Sequence, residues 1–232
     1  MTKIEADNII SNYYPNYLTN DELVTAARYK QTKEFENLER VCKKAESLLP
    51  TWNIVIEEIK NDLPNTYNVQ DWSHLFRYEP CLRLRISYPK HNQIPKRQRE
   101  LMLNVSILIE YYSIYISEND FNPTEKKYTL PVLAIKNSHN DEYLRIKPLA
   151  GSIEERVSEH FGPMTTKEFK YEDVEKEKQV FAIIESTLTK HFPNHKKFNF
   201  TFILDRADNF TNATSLGGEM TYFNCLFSDH LF

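Results

Sequence analysis

The stretch Leu82-Arg83-Leu84-Arg85-Ile86-Ser87-Tyr88 decides the fold, because apolar residues alternate in it with polar ones. A period of two sends successive side chains to opposite faces, which is typical of a β-strand with one buried face. The two arginines then share the other face. A second alternating run covers 103–111, after a connection over 89–100 that is rich in Lys, Arg and Pro. The middle of the chain is therefore predicted to form neighbouring strands of a sheet.

Helical spacing dominates the residues that precede these strands. A capping box between Thr19 and Glu22 predicts a helix that continues to residue 49 and is ended by Pro50. Thr51 is then expected to cap a second helix, and a short helix is expected over 4–10. The apolar positions that recur at helical spacing in the second helix are Trp52, Val55, Ile56, Ile59 and Leu63.

The remaining residues predict more strands and two more helices. Strands are expected over 128–135 and 143–149, and alternating aromatic residues predict two terminal strands over 198–204 and 223–227. A short helix is predicted to start at Ser152 and a long one to cover 172–191, followed by Pro193.

This order predicts an α+β fold, with N-terminal helices followed by a mostly antiparallel sheet and two further helices packed on it. No linker-like composition divides the chain. Residues 1–232 are therefore predicted to form a single α+β domain, whose helical N-terminal part covers about 1–65.

Only four of the 232 residues are glycine, which excludes several enzyme classes. Phosphate-cradling loops, dinucleotide-binding turns and nucleophile elbows need glycine where the backbone turns sharply or approaches a ligand, and none of their motifs is present. The three cysteines are far apart and form no C-x-x-C pair. We expect no cofactor, and we expect each cysteine to be a small buried apolar residue in a reducing compartment.

No signal peptide precedes the first helix, and no apolar run reaches the length of about 20 residues that a membrane helix needs. A cytoplasmic protein without a membrane partner is expected. The excess of Lys over Arg and the abundant Asn and Ile are typical of an AT-rich bacterial genome.

The basic residues gather between Arg77 and Arg99, where Glu79 is the one acidic residue. Interleaved with Phe76 and Tyr78, this 77–99 segment could hold phosphates and stack bases, so nucleic-acid binding is one hypothesis. The net charge of −4 argues against it, and nucleic acid is not the expected partner. A solvated hairpin loop explains Lys90 to Arg99 equally well.

Arg83 and Arg85 are harder to explain by solvation, because they lie on one face of a predicted central strand. Glu110 on the next strand could neutralise them, and so could a bound partner. Both arginines are therefore candidate partner-binding residues.

The C-terminal residues carry the opposite charge, with Asp205, Asp208 and Glu219 opposed mainly by Arg206. These three acids are candidate contacts for a basic partner, with Phe210 or Tyr222 as apolar anchors. Carboxylates after a strand are also a common place for catalysis. A metal-dependent or acid–base hydrolase that uses Asp205, Asp208 and a histidine is therefore an alternative.

No metal site is expected in the chain. His191 and His195 have the spacing of two ligands on one helical face, but Pro193 lies between them and would break that helix. The leading hypothesis is a non-enzymatic cytoplasmic protein that binds another protein. An immunity-type inhibitor of a basic toxin domain is the specific case considered.

Overall fold

The computed structural model describes residues 1–15, 28–87, 96–122, 127–129, 133–136, 143–146, 174–198, 200–203, 205–207, 210 and 220–227. The helices whose bounds lie in these ranges are α1 (Lys3–Ile10), α2 (Lys33–Ala45), α3 (Leu49–Asp62), α4 (Val174–His191) and α5 (Tyr222–Leu226). Short 3-10 turns cover Glu46–Leu48 and Leu75–Arg77. None of the helices in the described ranges is long and apolar enough to cross a membrane.

The strands form one sheet. They are β1 (Asn68–Asp71), β2 (Cys81–Ser87), β3 (Lys96–Ser106), β4 (Tyr111–Asn122), β5 (Lys127–Thr129), β6 (Leu133–Lys136), β7 (Tyr143–Ile146) and β8 (Lys196–Lys197). Their order is β1-β2-β3-β4-β6-β7, while β5 and β8 also pair with β4. All described pairings are antiparallel except that of β8 with β4. The predicted α+β class with a mostly antiparallel sheet is confirmed.

Helices cover both faces of the central strands. Helices α3 and α4 pack on the apolar face, which is formed by Leu82, Leu84, Ile86, Leu101, Leu103, Val105, Tyr112 and Ile114. A second cluster, built from α1, α2, α5 and the aromatic residues 198–203, includes Met102 from the opposite face. Because β2 and β3 alternate, Arg83 and Arg85 belong to this second face, between the sheet and the second cluster.

The N-terminal helices differ from the prediction at their ends. The predicted continuous helix is interrupted over 30–32, and α2 begins after Thr32, whose Oγ1 accepts a hydrogen bond from the Phe35 N–H at 3.1 Å. Pro50 does not end a helix but lies in the first turn of α3, where its missing N–H costs nothing. Thr51 is not the cap of that helix. The predicted capping box at Thr19 lies outside the described residues.

The apolar stripe predicted for the second helix is confirmed, since Trp52, Val55, Ile56, Ile59 and Leu63 are all buried. The short helix predicted over 4–10 corresponds to α1, and the helix predicted over 172–191 corresponds to α4.

The strand predicted over 103–111 is wrong in its bounds. A turn over 107–110 divides it between β3 and β4, and β3 begins earlier, at Lys96. The apolar run through this turn is explained by burial rather than by strand pairing, because Ile109 packs in the second cluster. The strand predicted over 128–135 is likewise two strands, β5 and β6, while β7 occupies the start of the one predicted over 143–149.

The two predicted C-terminal strands are also wrong. Residues 201–203 form a turn, and 222–226 form α5. Thr221 and Asn224 make a reciprocal capping box that starts this helix, and Phe223 and Phe227 then lie four residues apart with stacked rings. Aromatic alternation here reflects burial in the second cluster. The short helix predicted at Ser152 lies outside the described residues.

Candidate partner-binding site

Polar groups on the second face of the central strands are buried. The register sets Arg83 opposite Asn104, and Asn104 opposite Ser113. Asn104 and Ser113 are completely buried, and the Asn104 side-chain N–H donates to Ser113 Oγ at 3.2 Å. This row is therefore an internal polar layer and not a solvated surface.

Arg83 forms a buried ion pair with Glu79. Their side chains are 3% and 4% exposed, and Nη1 of Arg83 lies 4.0 Å from Oε2 of Glu79. Two charges removed from water lose hydration, and their mutual attraction offsets that loss only while both are present. Arg83, a candidate partner-binding residue, is thus located in the interior.

Arg85 is paired with Glu100 and not with Glu110, the residue expected from sequence. Trp72 covers both arginines, with the Arg85 Cζ 4.4 Å and the Arg83 Cζ 5.8 Å from its ring centroid. Burial, and then the nearby Arg83 charge, hold the pKa of Arg85 below its ordinary value. The charges of Arg83 and Arg85 are therefore compensated by carboxylates of the same chain, and the Trp72 ring covers both guanidinium groups.

The connection over residues 72–80, which carries Trp72 and Glu79, is fixed to β2 by main-chain and hydroxyl contacts. The Trp72 N–H donates to the Arg83 carbonyl at 2.8 Å, and the Arg83 N–H donates to Ser73 Oγ at 2.9 Å. Oδ1 of Asp71 accepts from both the Ser73 N–H and the Trp52 indole N–H. The start of the connection is consequently rigid.

The far side of the connection is held on α2. Tyr78 has φ 64°, the left-handed region that a residue with a Cβ enters at a cost of roughly 1–2 kcal/mol. Its ring packs edge-on against Phe35 with centroids 4.8 Å apart, and its hydroxyl donates to Glu39 at 3.3 Å. Leu75, three residues earlier, is buried in the first core. These contacts hold a strained turn in place.

Phe76 projects from this turn. Its side chain is 69% exposed, although the neighbouring Leu75 is buried and Tyr78 is half-buried. The Arg77 guanidinium lies over its ring at 5.5 Å, and the His74 ring meets it edge-on at 5.7 Å. The structure thus brings an exposed aromatic ring and an arginine together on a fixed support. We name residues 74–78 the aromatic turn.

The acidic C-terminal residues are only partly within the described ranges. Asp205 lies 3.3 Å from Lys3, and both side chains are about half exposed. Asp208 and Glu219 lie outside the described residues. Lys3 also lies 5.2 Å from the ring centroid of Tyr222. Asp205 therefore has a basic neighbour from α1, and no described residue joins it to a second carboxylate.

Tyr222 and Phe210, the aromatic anchors expected beside these acids, are not exposed on the surface. Tyr222 is 3% exposed, and its hydroxyl donates to Asp7, so it is not available as a surface anchor. Burial and then the hydrogen bond to Asp7 raise the pKa of Tyr222 above its ordinary value. Phe210 packs against the second cluster and is partly buried.

The basic 77–99 segment does not form one continuous basic surface. Arg83 and Arg85 point into the molecule, and Lys90 lies outside the described residues. Lys96 to Arg99 do not belong to a loop but to β3, where the register sets Arg97 opposite Asp120 and Arg99 opposite Glu118.

Two of the described histidines, His191 and His195, contact other groups of the chain. The His191 ring lies 2.9 Å from Oε2 of Glu58, and the His195 ring lies 3.3 Å from the Ser106 carbonyl. Cys42, Cys81 and Cys225 are all buried and form no disulfide with one another. Among the described residues no group of three His, Cys, Asp or Glu side chains is arranged to hold a metal ion.

Sequence reasoning placed Phe76 and Tyr78 only as aromatic neighbours of a basic segment and did not single out the aromatic turn. The available signal was a cluster of Trp, Phe, Arg and Tyr over 72–78, between two segments of strand character. No pattern in that cluster distinguishes the buried Leu75 from the exposed Phe76.

Comparison with known proteins does not assign the chain to a group: no protein-family model, curated protein sequence or solved structure matches it.

Proposed function

We propose that this chain is a non-enzymatic cytoplasmic protein that acts by binding another protein, in the manner of an immunity-type inhibitor of a toxin. The observation that carries the proposal is the exposed ring of Phe76 on its rigid turn. Burying such a ring stabilises a complex by about 1.5–3 kcal/mol, and aromatic and arginine side chains are the enriched anchors of protein interfaces.

Rigidity of the support strengthens this proposal. Binding costs conformational entropy for each side chain and loop that becomes ordered, and a turn fixed in advance reduces that cost. The aromatic turn is held by Leu75 in one core and by Tyr78 against α2. The positive φ of Tyr78 is consistent with a turn whose shape matters to function, because such strain is often found at functional sites.

The reactive side chains also favour binding over catalysis. Burial raises the pKa of the Cys42 thiol to about 12, so its nucleophilic thiolate form is suppressed. His195 has its pKa lowered, first by burial, and its ring contacts a main-chain carbonyl. The hydrolase alternative requires Asp208, and Asp205, its described partner in that hypothesis, contacts Lys3.

The proposal is tested by capturing partners from the native cell lysate with wild-type protein and with Phe76→Ala. Ile54→Ala is the matched control, because Ile54 is a 50% exposed apolar residue on α3. We expect a partner to be retained by wild type and Ile54→Ala and lost by Phe76→Ala, with unchanged thermal stability in both variants. Retention by Phe76→Ala at wild-type level would contradict the proposed site.

The acidic C-terminal residues are proposed as rim contacts of the same protein. Complementary charge acts mainly on the association rate and on specificity, while a desolvated centre supplies most of the affinity. Reversing the charges of Asp205, Asp208 and Glu219 together should slow association with a basic partner surface at low salt and leave thermal stability nearly unchanged. Association rates measured at two salt concentrations check this, and rates equal to wild type at low salt would remove these acids from the interface.

A further inference from the structure

The aromatic turn carries the positive charge of Arg77, and no carboxylate in the described ranges forms an ion pair with it. The Arg77 guanidinium lies over the Phe76 ring. The other arginines of this region differ, since Arg83 and Arg85 each contact a glutamate. Glu39, an exposed acid on α2, accepts the hydrogen bond from Tyr78.

The guanidinium of Arg77 favours one kind of acceptor. It is planar and carries its N–H donors in that plane, where a carboxylate can accept two parallel hydrogen bonds. The adjacent Phe76 ring needs an apolar environment once it is removed from water. We infer that the aromatic turn inserts into a partner protein that presents a carboxylate beside an apolar pocket. This inference rests on the proposed function and names the chemistry of the partner.

A carboxylate fits this surface better than the phosphates of a nucleic acid. Binding a phosphate chain takes several cations along a track, whereas Arg77 is a single cation. Two further basic residues of the segment, Arg83 and Arg85, do not extend such a track, because each contacts a glutamate beneath Trp72. The net charge of −4 also repels a polyanion.

The test uses a zero-length carbodiimide, which couples an amine only to a carboxylate in direct contact with it. The full-length Arg77→Lys variant is mixed with the partner captured by wild type, coupled, digested and sequenced by mass spectrometry. Arg40→Lys is the matched control, because Arg40 is an exposed arginine on α2 whose described contact is Asn37. We expect an amide between position 77 and an Asp or Glu of the partner, and no intermolecular amide from position 40.

Affinity provides the second measurement. Arg77→Glu should weaken the complex by roughly tenfold or more, because two carboxylates would then face each other in a desolvated site. Arg77→Lys should weaken it less, because the positive charge stays while the second parallel hydrogen bond is lost. Both variants leave the buried ion pairs intact, so circular dichroism should show wild-type folding.

The outcomes separate this inference from the proposed function. A complex that depends on Phe76 but gives no amide from position 77, and tolerates Arg77→Glu, would overturn the carboxylate inference alone. Tight binding of single-stranded oligonucleotides at physiological salt, lost with Arg77→Glu, would overturn it in favour of phosphate. Loss of dependence on Phe76 would overturn both.

Discussion

At the residue scale, two contacts between an arginine and an aromatic ring differ in exposure: the Arg83 guanidinium is buried beneath Trp72, whereas Arg77 lies over an exposed Phe76. Arg83 is almost fully buried with Glu79, whereas Phe76 is exposed with Arg77 over its ring. The two arrangements are connected, because Glu79 belongs to the same connection that carries Phe76. The buried pair therefore anchors the aromatic turn as well as the sheet.

Removing one member of the buried pair should be costly. Arg83→Met leaves the Glu79 carboxylate buried without its cation, and we expect a loss of about 3–5 kcal/mol in the free energy of unfolding. The double variant Arg83→Met with Glu79→Met should recover part of this loss, since neither charge remains. Urea denaturation of the two single variants and the double variant measures the coupling, with exposed Arg40→Met as a control expected to lie within about 0.5 kcal/mol of wild type. Additive effects of the two substitutions would show that the pair is not coupled.

The buried Cys42 thiol predicts a specific dependence of stability on pH. Burial raises the pKa of Cys42 to about 12, so the folded state holds the neutral thiol while the unfolded chain ionises near the ordinary value of 9.0. The folded state then binds the proton more tightly, and stability is fully present below pH 9 and declines as pH rises towards 12.

An aromatic disulfide reagent at pH 8 should label the native thiols slowly and all of them rapidly once urea unfolds the protein. Rapid labelling of native protein would contradict the burial of these residues.

At the element scale, the sequence predicted elements well where one pattern acted alone. The stripe of Trp52, Val55 and Ile59 has a helical period and a single buried side, and α3 follows it. The alternation in 82–88 has a period of two, and β2 follows it. The strand predicted from the alternating run at 223–227 is wrong, because the capping box at Thr221 starts a helix there and both faces of that helix are buried.

The candidate site was less predictable than the fold. Alternation correctly set Arg83 and Arg85 on one face of β2, but it carried no information about which acid faces them or whether helices cover that face. Glu100 pairs with Arg85 because of the β2–β3 register, which depends on the bounds of β3. The exposure of Phe76 depends on a left-handed residue, Tyr78, that no local preference indicates, since tyrosine has a Cβ.

The start of α2 offers a test of these element bounds. Thr32 accepts the Phe35 N–H and donates to the Tyr29 carbonyl at 2.7 Å, so it both ends the preceding turn and caps the helix. Thr32→Ala should lower the free energy of unfolding by about 1 kcal/mol, within the usual 0.5–2 kcal/mol for a lost cap. Thr189→Ala, which removes an exposed hydroxyl in the last turn of α4 that donates to the Glu185 carbonyl, is the control and should have a smaller effect. Equal effects of the two substitutions would argue for an uninterrupted helix through residue 32.

At the scale of the whole molecule, one mostly antiparallel sheet separates two cores, and its central strands hold the connection that contains the aromatic turn. The first core joins α3 and α4 to the apolar face, and the second joins α1, α2 and α5 to the polar face. The connection over 72–80 contributes Leu75 to the first core and contacts the second through Tyr78. A surface held from both cores is suited to rigid recognition of a partner.

The central claim is that the aromatic turn is where this protein meets another protein. The most direct measurement places photo-reactive benzoylphenylalanine at position 76, or at position 54 as the control, in the full-length protein inside its native cell. Ultraviolet irradiation followed by mass spectrometry should give one dominant protein adduct from position 76 and none from position 54. An absence of adduct from position 76, or the same adduct from both positions, would contradict the claim.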